Sequence, residues 1–252
     1  MSGKDRLETI KQIIINEKNV NVTTLSEQFK VTEETIRRDL TKLADDGLVT
    51  RTYGGAVLNV EAGSDGNHFY KRLAVNGEAK KAIAVKVLPM LEDKHTIIAD
   101  SSTTVLETLR LLKGRTDVTV MTNSVQAMHE LLTADMTVLS TGGILNASTM
   151  SMQGAIATQT IGKYGFDVVL ISCRGMDKKR GALDSNEAEA AAKLAMLRHA
   201  EQVILLLDHT KFDKSAFLKL VDFEHIDYLV TDKEPSPDWL KLLQKYEVKV
   251  IY

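Results

Sequence analysis

Apolar residues recur at helical spacing in two short stretches near the amino terminus. Leu7, Ile10 and Ile14 are three and four residues apart, which predicts an amphipathic helix over residues 5–16. Leu25 and the residues around it predict a second, shorter helix over 22–29. A polar break separates the two predicted helices.

Polar residues mark the ends of the second helix and of a third. Thr23 or Thr24 can cap the second helix, and Thr32 is a good N-cap for the third. The third helix should run to about Asp45, and Gly47 should end it. Its buried face should consist of Ile36, Leu40 and Leu43.

Residues 48–53 and 56–58 stand on either side of Gly54-Gly55. This arrangement predicts a two-stranded hairpin. Three short helices followed by a hairpin are typical of a winged helix-turn-helix domain. The next residues, 59–67, are small, polar and rich in glycine, and they are the best linker candidate in the chain.

Beyond residue 77 the pattern changes, because helical stretches alternate with short apolar runs. The runs are 96–99, 118–121, 137–139, 168–171, 203–207, 228–230 and 248–251. The predicted helices are 78–92, 103–113, 123–133, 154–163, 186–200 and 236–246. Such alternation predicts an α/β domain with a mainly parallel sheet, covered by helices on both faces.

These patterns predict three parts of the chain. Residues 1–58 are expected to form the winged helix-turn-helix domain, 59–74 a linker, and 75–252 the larger α/β domain. A length of 252 residues suits one small domain and one of ordinary size.

Composition and charge limit the possible functions. Hydrophobic residues make up 44% of the chain and charged residues 26%, as in ordinary soluble proteins. There is one cysteine, Cys173, no apolar leader segment, and no run near the ~20 apolar residues that a membrane span needs. The expected location is therefore the cytoplasm. The six histidines have no metal-ligand spacing, so neither a metal nor a cofactor is expected.

Net charge gives no general affinity for nucleic acid. The chain carries −2, and residues 1–58 contain nine lysines and arginines against nine aspartates and glutamates. Any DNA affinity must therefore come from the local placement of a few cations. The outer face of the third helix and the hairpin offer the candidates, which are Thr32, Glu34, Thr35, Arg37, Arg38, Lys42, Arg51 and Tyr53. An ordinary solvated helix face is the alternative.

The whole amino-terminal segment resembles the DNA-binding pattern of the DeoR family of bacterial repressors. The resemblance depends on Arg6, Ile10 and Ile14 at intervals of four, on Thr32, and on the segments Thr35-Ile36-Arg37-Arg38-Asp39-Leu40 and Arg51-Thr52-Tyr53-Gly54-Gly55-Ala56. It implies that the third helix enters the DNA major groove. It also implies that Asp39 is a structural partner of an arginine.

A segment rich in hydroxyl side chains lies where a predicted strand ends and a helix begins. Its residues are Asp100, Ser101, Ser102, Thr103 and Thr104. Ligands of open α/β sheets bind at the carboxyl ends of strands, and helix N-termini attract phosphate. The alternative is simple capping of the helix by Asp100 or Ser101.

Further candidates follow other predicted strands. They are Asn123, Gly142, Gly143, Arg174, Asp177, Glu187 and Lys211. Arg174 and Lys211 could bind an anion, whereas Asp177 and Glu187 could bind sugar hydroxyls. Turn formation is the alternative for Asn123 and the glycines. The alternative is that Glu187, Glu189 and Lys193 form a solvated helix face. This interpretation is preferred for Glu189.

Residues 75–252 resemble the DeoR-family sensor domain, which is similar in fold to ribose-5-phosphate isomerase. The resemblance places a phosphate loop at residues 101–104, and it matches Glu187 and Lys211 to the isomerase's carboxylate base and lysine. It implies a phosphorylated sugar or polyol as effector and a homo-oligomer, either dimer or tetramer.

The sequence therefore predicts a non-enzymatic transcription regulator that binds double-stranded DNA, most simply a repressor of a carbohydrate operon. Two alternatives remain. One is a sugar-phosphate isomerase with an appended domain, in which Glu187 is the general base and Lys211 its electrophilic helper. The other is an adaptor whose small domain binds protein.

Overall fold

The computed structural model describes residues 3–17, 19–45, 49–58 and 68–252. The chain divides into two compact units, Met1–Val75 and Asn76–Tyr252. Within the described ranges, no helix has the length and apolar character needed to span a bilayer.

The first unit begins with three helices and a small sheet. Its helices are α1 Gly3–Glu17, α2 Val22–Phe29 and α3 Glu33–Asp45, and its strands are β1 Asn19–Asn21, β2 Val49–Thr52 and β3 Gly55–Leu58. The antiparallel sheet has the order β1-β3-β2. The core includes Ile10, Ile14, Leu25, Ile36 and Leu40, so the periodicity of the sequence identified the buried face correctly.

Strand β1 was not predicted, because residues 19–21 contain too few apolar positions to suggest a strand. Only Val20 is buried there, with an exposed asparagine on each side. Tertiary pairing with β3 therefore decides the conformation of this segment. It turns the predicted hairpin into a three-stranded wing.

The caps of α2 and α3 differ in how well the sequence predicted them. The prediction of Thr23 or Thr24 as the cap of α2 is wrong, because Asn21 Oδ1 accepts the hydrogen bond from the Thr23 amide at 2.8 Å. Thr32 is confirmed as the cap of α3, since its hydroxyl accepts from the Thr35 amide at 3.3 Å. The predicted stop at Gly47 lies outside the described residues.

The segment expected to be a linker is partly helical. Residues His68–Ala74 form helix α4, whereas residues 59–67 lie outside the described ranges. The expected linker 59–74 therefore contains a helix at its carboxyl end, and its role as a linker stays a prediction.

The second unit contains the remaining elements. The strands are β4 Thr96–Ala99, β5 Thr119–Thr122, β6 Thr137–Ser140, β7 Ile144–Asn146, β8 Ser151–Gln153, β9 Phe166–Ile171, β10 Gly175–Asp177, β11 Gly181–Asp184, β12 Ala200–Leu206, β13 Leu218–Val221, β14 Tyr228–Val230 and β15 Lys249–Ile251. The helices are α5 Gly77–Val87, α6 Thr103–Leu111, α7 Val125–Glu130, α8 Ala155–Ile161, α9 Glu187–Arg198 and α10 Pro237–Lys245.

Seven strands form one parallel sheet in the order β15-β14-β12-β9-β4-β5-β6. All seven predicted apolar runs overlap strands of this sheet, which confirms the predicted fold class. Consecutive residues of β9, such as Val168, Val169 and Leu170, are fully buried. A strand covered on both faces has no polar side, and for this reason these strands were visible as continuous apolar runs.

The strand order reverses beside β4. The chain proceeds from β4 outward through β5 to β6, and then returns to the other side of β4 with β9. The carboxyl ends of β4 and β9 therefore lie side by side at a topological switch point, where open α/β sheets form a crevice. Asp100 follows β4 and Ser172 follows β9 at this point.

Two smaller sheets, β7-β8 and β10-β11-β13, were not predicted. Their strands have only three or four residues, too few to establish an alternating pattern. Gly181 begins β11 with a φ of +80°, and a Cβ there would lie 2.4 Å from the Val221 carbonyl oxygen. Close packing of β11 on β13 therefore requires glycine at this position.

Candidate functional site

The outer face of α3 presents two exposed cations one helical turn apart, Arg38 and Lys42. Neither side chain has a hydrogen-bond or ion-pair partner among the residues that the structure describes. Arg37 differs, because its guanidinium donates to Glu33 Oε2 at 2.6 Å and lies 3.9 Å from Glu34 Oε2. The pair Arg38 and Lys42 is therefore the part of this face that is available to another molecule.

Arg51 of the wing hydrogen-bonds to α3. Its Nη1 donates to the Arg37 carbonyl at 3.0 Å and to Thr41 Oγ1 at 2.7 Å. Tyr53 is fully exposed at the turn of the wing. At the start of α3, the hydroxyls of Thr32 and Thr35 hydrogen-bond each other at 2.9 Å.

A buried ion pair joins α1 to α3. Arg6 Nε lies 2.7 Å from Asp39 Oδ2, and Asp39 is only 3% exposed. The expectation that Asp39 pairs with an arginine is confirmed. This contact joins α3 to α1 at the residue directly after Arg38.

Asp100 organises the switch point of the large sheet. Its Oδ1 accepts from the Ser102 amide at 2.9 Å, and its Oδ2 accepts from the Ser172 amide at 3.1 Å. The carboxylate thus connects the loops that follow the two adjacent strands. Its main role in the structure is to hold these loops in place.

The hydroxyl-rich loop leads directly into the N-terminus of α6. Ser102 is the N-cap residue and accepts from the Val105 amide at 3.3 Å, so capping by Asp100 or Ser101, the alternative derived from the sequence, is wrong. Thr103 and Thr104 lie in the first turn and are buried. Within the described part of the chain, the buried Thr104 Oγ1 has no hydrogen-bond partner.

A buried lysine of α9 crosses the same region. Lys193 Nζ lies 2.6 Å from Asp184 Oδ2 and 3.3 Å from Asp100 Oδ2, and it donates to the Ser172 carbonyl at 2.8 Å. Burial alone would lower the pKa of Lys193, but the carboxylates of Asp100, Asp184 and Glu189 outweigh it and raise that pKa. Lys193 is therefore a permanently charged support beneath the strand ends.

The predicted solvated face at Glu189 and Lys193 is wrong, since each residue is only 7% exposed. Ser101 Oγ donates to Glu189 Oε1 at 3.4 Å. This burial was hard to predict from the sequence, because the alanine-rich helix α9 has no apolar stripe that marks one side. Glu187, the carboxylate proposed from sequence, is exposed in the first turn of α9.

Lys211 follows β12 in the chain, and its ammonium reaches the loop after β9. Its Nζ donates to Ser172 Oγ at 3.3 Å and to the Cys173 carbonyl at 2.8 Å, and it is 4.0 Å from Asp208 Oδ2. Cys173 itself is buried, and burial raises the pKa of its thiol to about 11. The thiol is therefore neutral and structural.

Arg174 and Asp177 lie at opposite ends of one hairpin. Arg174 precedes β10, is exposed, and donates through Nε to Ser185 Oγ at 3.2 Å. Asp177 ends β10 at the hairpin tip, roughly 10 Å further along the strand. There it accepts from the amides of Lys179 and Arg180, both at 2.9 Å. Asp177 therefore lies away from Arg174, and its part in ligand binding stays a prediction.

Asn123 follows β5 and is hydrogen-bonded to β8, a strand that was not predicted from the sequence. Its Nδ2 donates to the Met152 carbonyl at 3.2 Å, and its own carbonyl accepts from the Met152 amide at 2.7 Å. Beside it lies a buried polar network, in which Gln153 Nε2 donates to Thr149 Oγ1 at 3.2 Å and to Ser151 Oγ at 2.9 Å.

Gly142 and Gly143 adopt left-handed backbone conformations, with φ of +62° and +106°. A Cβ on Gly143 would lie 2.4 Å from the Gln153 carbonyl oxygen, so this glycine allows close packing against β8. The turn interpretation therefore accounts for Gly143. Among the residues that the structure describes, no group of histidine, cysteine, aspartate and glutamate is arranged to hold a metal ion.

Both parts of the chain match known domains. Residues 6–62 match the DeoR-like helix-turn-helix domain, and residues 75–233 match the DeoR C terminal sensor domain.

Relatives of similar length are transcription regulators. The chain is 35% identical over 247 residues to the uncharacterized HTH-type transcriptional regulator YulB of Bacillus subtilis, covering 98% of this chain and 95% of that protein. It is 33% identical to the putative aga operon transcriptional repressor of Escherichia coli O157:H7, covering 98% and 93%. It is 30% identical to the L-fucose operon activator of Haemophilus influenzae, covering 98% of each.

Solved structures overlap with part of the chain. Ribose 5-phosphate isomerase A from Methanocaldococcus jannaschii aligns with a TM-score of 0.41 and 13% identity, over 54% of this chain and 55% of that one. eIF2B delta from Chaetomium thermophilum aligns with a TM-score of 0.47 and 16% identity, over 64% and 57%.

The winged helices, the α/β unit and the match of both domains lead to one assignment. The alignments cover almost the entire length of these regulators, and residues 6–62 match the DNA-binding domain. The chain belongs to the DeoR family and is a DNA-binding transcription regulator with a carboxyl-terminal sensor domain.

Proposed function

We propose that this regulator represses a carbohydrate operon and responds to a phosphorylated sugar or polyol. The named relatives act on the aga and fucose operons, which supports a sugar-linked target. One of them is a repressor and the other an activator, so the direction of the response is a separate measurement. We assign residues 1–58 to DNA binding, 59–74 to the connection and 75–252 to sensing.

On the DNA side, the proposal assigns base contacts to α3 and phosphate contacts to cations around it. Arginine can form two hydrogen bonds with guanine in the major groove, which suits the exposed Arg38. Lys42, one turn further along α3, is suited to a backbone phosphate. Thr32, Glu34 and Thr35 stand at the amino-terminal end of α3, which in helix-turn-helix proteins approaches the bases.

On the effector side, the observation that carries the proposal is the position of Lys211. Its ammonium lies against the loop after β9, at the switch point where Asp100 also connects that loop to Ser102. The N-terminus of the nine-residue helix α6 begins at the same point. A cation and a helix N-terminus at one crevice are suited to phosphate.

The test is binding of an operator duplex, selected from genomic DNA, with and without millimolar sugar phosphates. We expect at least one sugar phosphate to change operator affinity. We also expect Lys211→Ala to keep operator binding and lose that response, while Arg38→Ala keeps sugar-phosphate binding and loses the operator. A panel that neither binds nor alters operator affinity would refute the proposal.

We further propose that the protein is a homo-oligomer and has no isomerase activity. A dimer or tetramer by analytical ultracentrifugation would agree with the first point, and a monomer at micromolar concentration would contradict it. The enzyme alternative placed the general base at Glu187, whose exposure does not suit a carboxylate that must work in a water-excluding site. Aldose–ketose interconversion lost in Glu187→Gln would restore the enzyme alternative.

A further inference from the structure

Near the carboxyl ends of β4 and β5, two buried hydrogen-bond acceptors are poorly satisfied by the protein. Glu189 is 7% exposed, and from the residues that the structure describes its carboxylate receives one long hydrogen bond, from Ser101 Oγ at 3.4 Å. Asn123 is 2% exposed, and within the described residues its Oδ1 has no donor. Buried polar atoms are normally satisfied, so two such acceptors in one region require an explanation.

The orientation of the Asn123 amide is fixed by its other atoms. Nδ2 donates to the Met152 carbonyl, and a reversed amide would instead direct its oxygen at that carbonyl. Oδ1 is therefore the atom that remains without a partner, and an oxygen of this kind only accepts hydrogen bonds.

The two acceptors belong to the same edge of the sheet. Ser101, the donor to Glu189, comes two residues after the end of β4, and Asn123 comes directly after β5. These strands are neighbours, with Ala99 opposite Thr122, so their carboxyl ends are about 4.8 Å apart. Strand β8, which holds Asn123, also packs against α9, the helix that carries Glu189.

Glu189 shares its electrostatic environment with Lys193, because both residues belong to α9. Lys193 neutralises part of the charge of Asp100 and Asp184, to which it is hydrogen-bonded or closely paired. Its charge also interacts favourably with Glu189, one helical turn away on α9. A charged carboxylate is a stronger acceptor than a neutral group.

We infer that Glu189 and Asn123 bind hydroxyl groups of the effector and so determine its specificity. This inference depends on the proposed sugar-phosphate function, and it transfers the carboxylate role from Glu187 to Glu189. Two acceptors require donors, so the effector body must present hydroxyl groups near the phosphate. A phosphorylated sugar acid would place a carboxylate against Glu189 and bind weakly.

The experiment is calorimetric titration of the full chain with inorganic phosphate and with hexose, pentose and polyol phosphates. The tightest-binding compound is then compared with its deoxy analogues and with the corresponding sugar-acid phosphate. We expect one deoxy analogue and the sugar acid to bind at least tenfold more weakly, since hydrogen bonds to charged groups are worth roughly that factor or more.

Glu189→Gln should weaken binding of that sugar phosphate roughly tenfold or more and leave binding of inorganic phosphate almost unchanged. Glu187→Gln is the matched control, because it makes the same chemical change two residues earlier on an exposed side chain. Glu187→Gln should change neither affinity. Asn123→Leu provides an independent variant if Glu189→Gln fails to fold, and it should lose discrimination between the sugar phosphate and its deoxy analogue.

The outcomes separate this inference from the proposed function. Equal loss of sugar-phosphate and inorganic-phosphate binding in Glu189→Gln would make Glu189 a structural residue and overturn the inference. Tighter binding of an amino-sugar phosphate than of its hydroxyl counterpart would also overturn it, in favour of an ammonium at Glu189. If the unmodified protein binds no sugar phosphate at all, the proposed function itself fails.

Discussion

At the scale of single residues, buried charge at Lys193 is the least expected feature of the sensor domain. The Lys193 ammonium pairs with the carboxylates of Asp100 and Asp184 and donates a hydrogen bond to a backbone carbonyl. Removing the cation would leave both carboxylates buried without their partner. Breaking such a cluster on one side is far more costly than losing a surface ion pair.

We therefore expect Lys193→Met to lower the free energy of unfolding of the sensor domain by about 3–5 kcal/mol. Urea denaturation followed by circular dichroism measures this change. Lys241→Met, on the exposed side of α10, is the control and should stay within about 0.5 kcal/mol of the unmodified protein. A loss of similar size in both variants would contradict the assignment of Lys193 as a buried support.

The same cluster predicts a pH dependence. Burial alone would raise the pKa of Asp184, but the charge of Lys193 and the hydrogen bond from it outweigh burial and lower that pKa. A carboxyl with a lowered pKa in the folded state stabilises the protein above its unfolded pKa of about 3.9 and loses this contribution as the pH falls further.

Stability of the unmodified protein should therefore fall more steeply below about pH 4 than that of Asp184→Asn, which has no such carboxyl to protonate. Denaturation curves between pH 7 and pH 3 test this expectation. Parallel pH profiles for the two proteins would contradict it.

At the scale of secondary-structure elements, α3 combines two roles on two faces. Its inner face contributes Ile36, Leu40 and the buried Asp39 to the core, and its outer face presents Arg38 and Lys42. The ion pair between Asp39 and Arg6 attaches the inner face to α1. The outer face can therefore be changed with little effect on folding.

Arg38→Ala and Lys42→Ala should affect DNA binding differently. Loss of Arg38 should remove about 1–3 kcal/mol of discrimination between the operator and an operator with one substituted guanine. Loss of Lys42 should weaken binding to all duplexes and reduce the slope of log affinity against log salt by about one. Fluorescence anisotropy at several salt concentrations measures both, and the reverse pattern would exchange the two roles.

At the scale of the whole molecule, Asn76, the first residue of the sensor unit, hydrogen-bonds to Asp208 beside the candidate site. Asn76 occupies the N-cap position of α5 in a left-handed conformation, but its side chain makes no capping bond. Its Nδ2 instead donates to Asp208 Oδ1 and Thr210 Oγ1, both at 3.1 Å. Asp208 Oδ2 in turn lies 4.0 Å from Lys211 Nζ.

We expect Asn76→Ala to reduce the effect of the sugar phosphate on operator affinity, because it removes the link between Asp208 and the start of the unit. The affinities for each ligand measured alone should change by less than about threefold, since Asn76 contacts neither ligand in the proposed function. Anisotropy titrations with and without the sugar phosphate give the coupling. An unchanged coupling would show that the signal does not pass through Asn76.

Local regularity explains which parts of the structure the sequence predicted well. The three helices of the first unit and the seven strands of the large sheet have clear periodicity or continuous apolar runs. The residues after those strands were recognised for the same reason, including Asp100, Asn123 and Lys211. The separation of Asp177 from Arg174 was not foreseen, because the hairpin β10-β11 between them is too short to recognise.

The amino-acid sequence by itself determined the order of helices and strands, the winged domain and the parallel sheet, because each depends on patterns within a few neighbouring residues. Only the tertiary structure decided which acidic and basic residues of α9 are buried, which strands lie at the switch point, and which acceptor remains without a donor. Those outcomes depend on contacts between residues distant in the chain, such as Ser101 with Glu189, and local patterns contain no information about them.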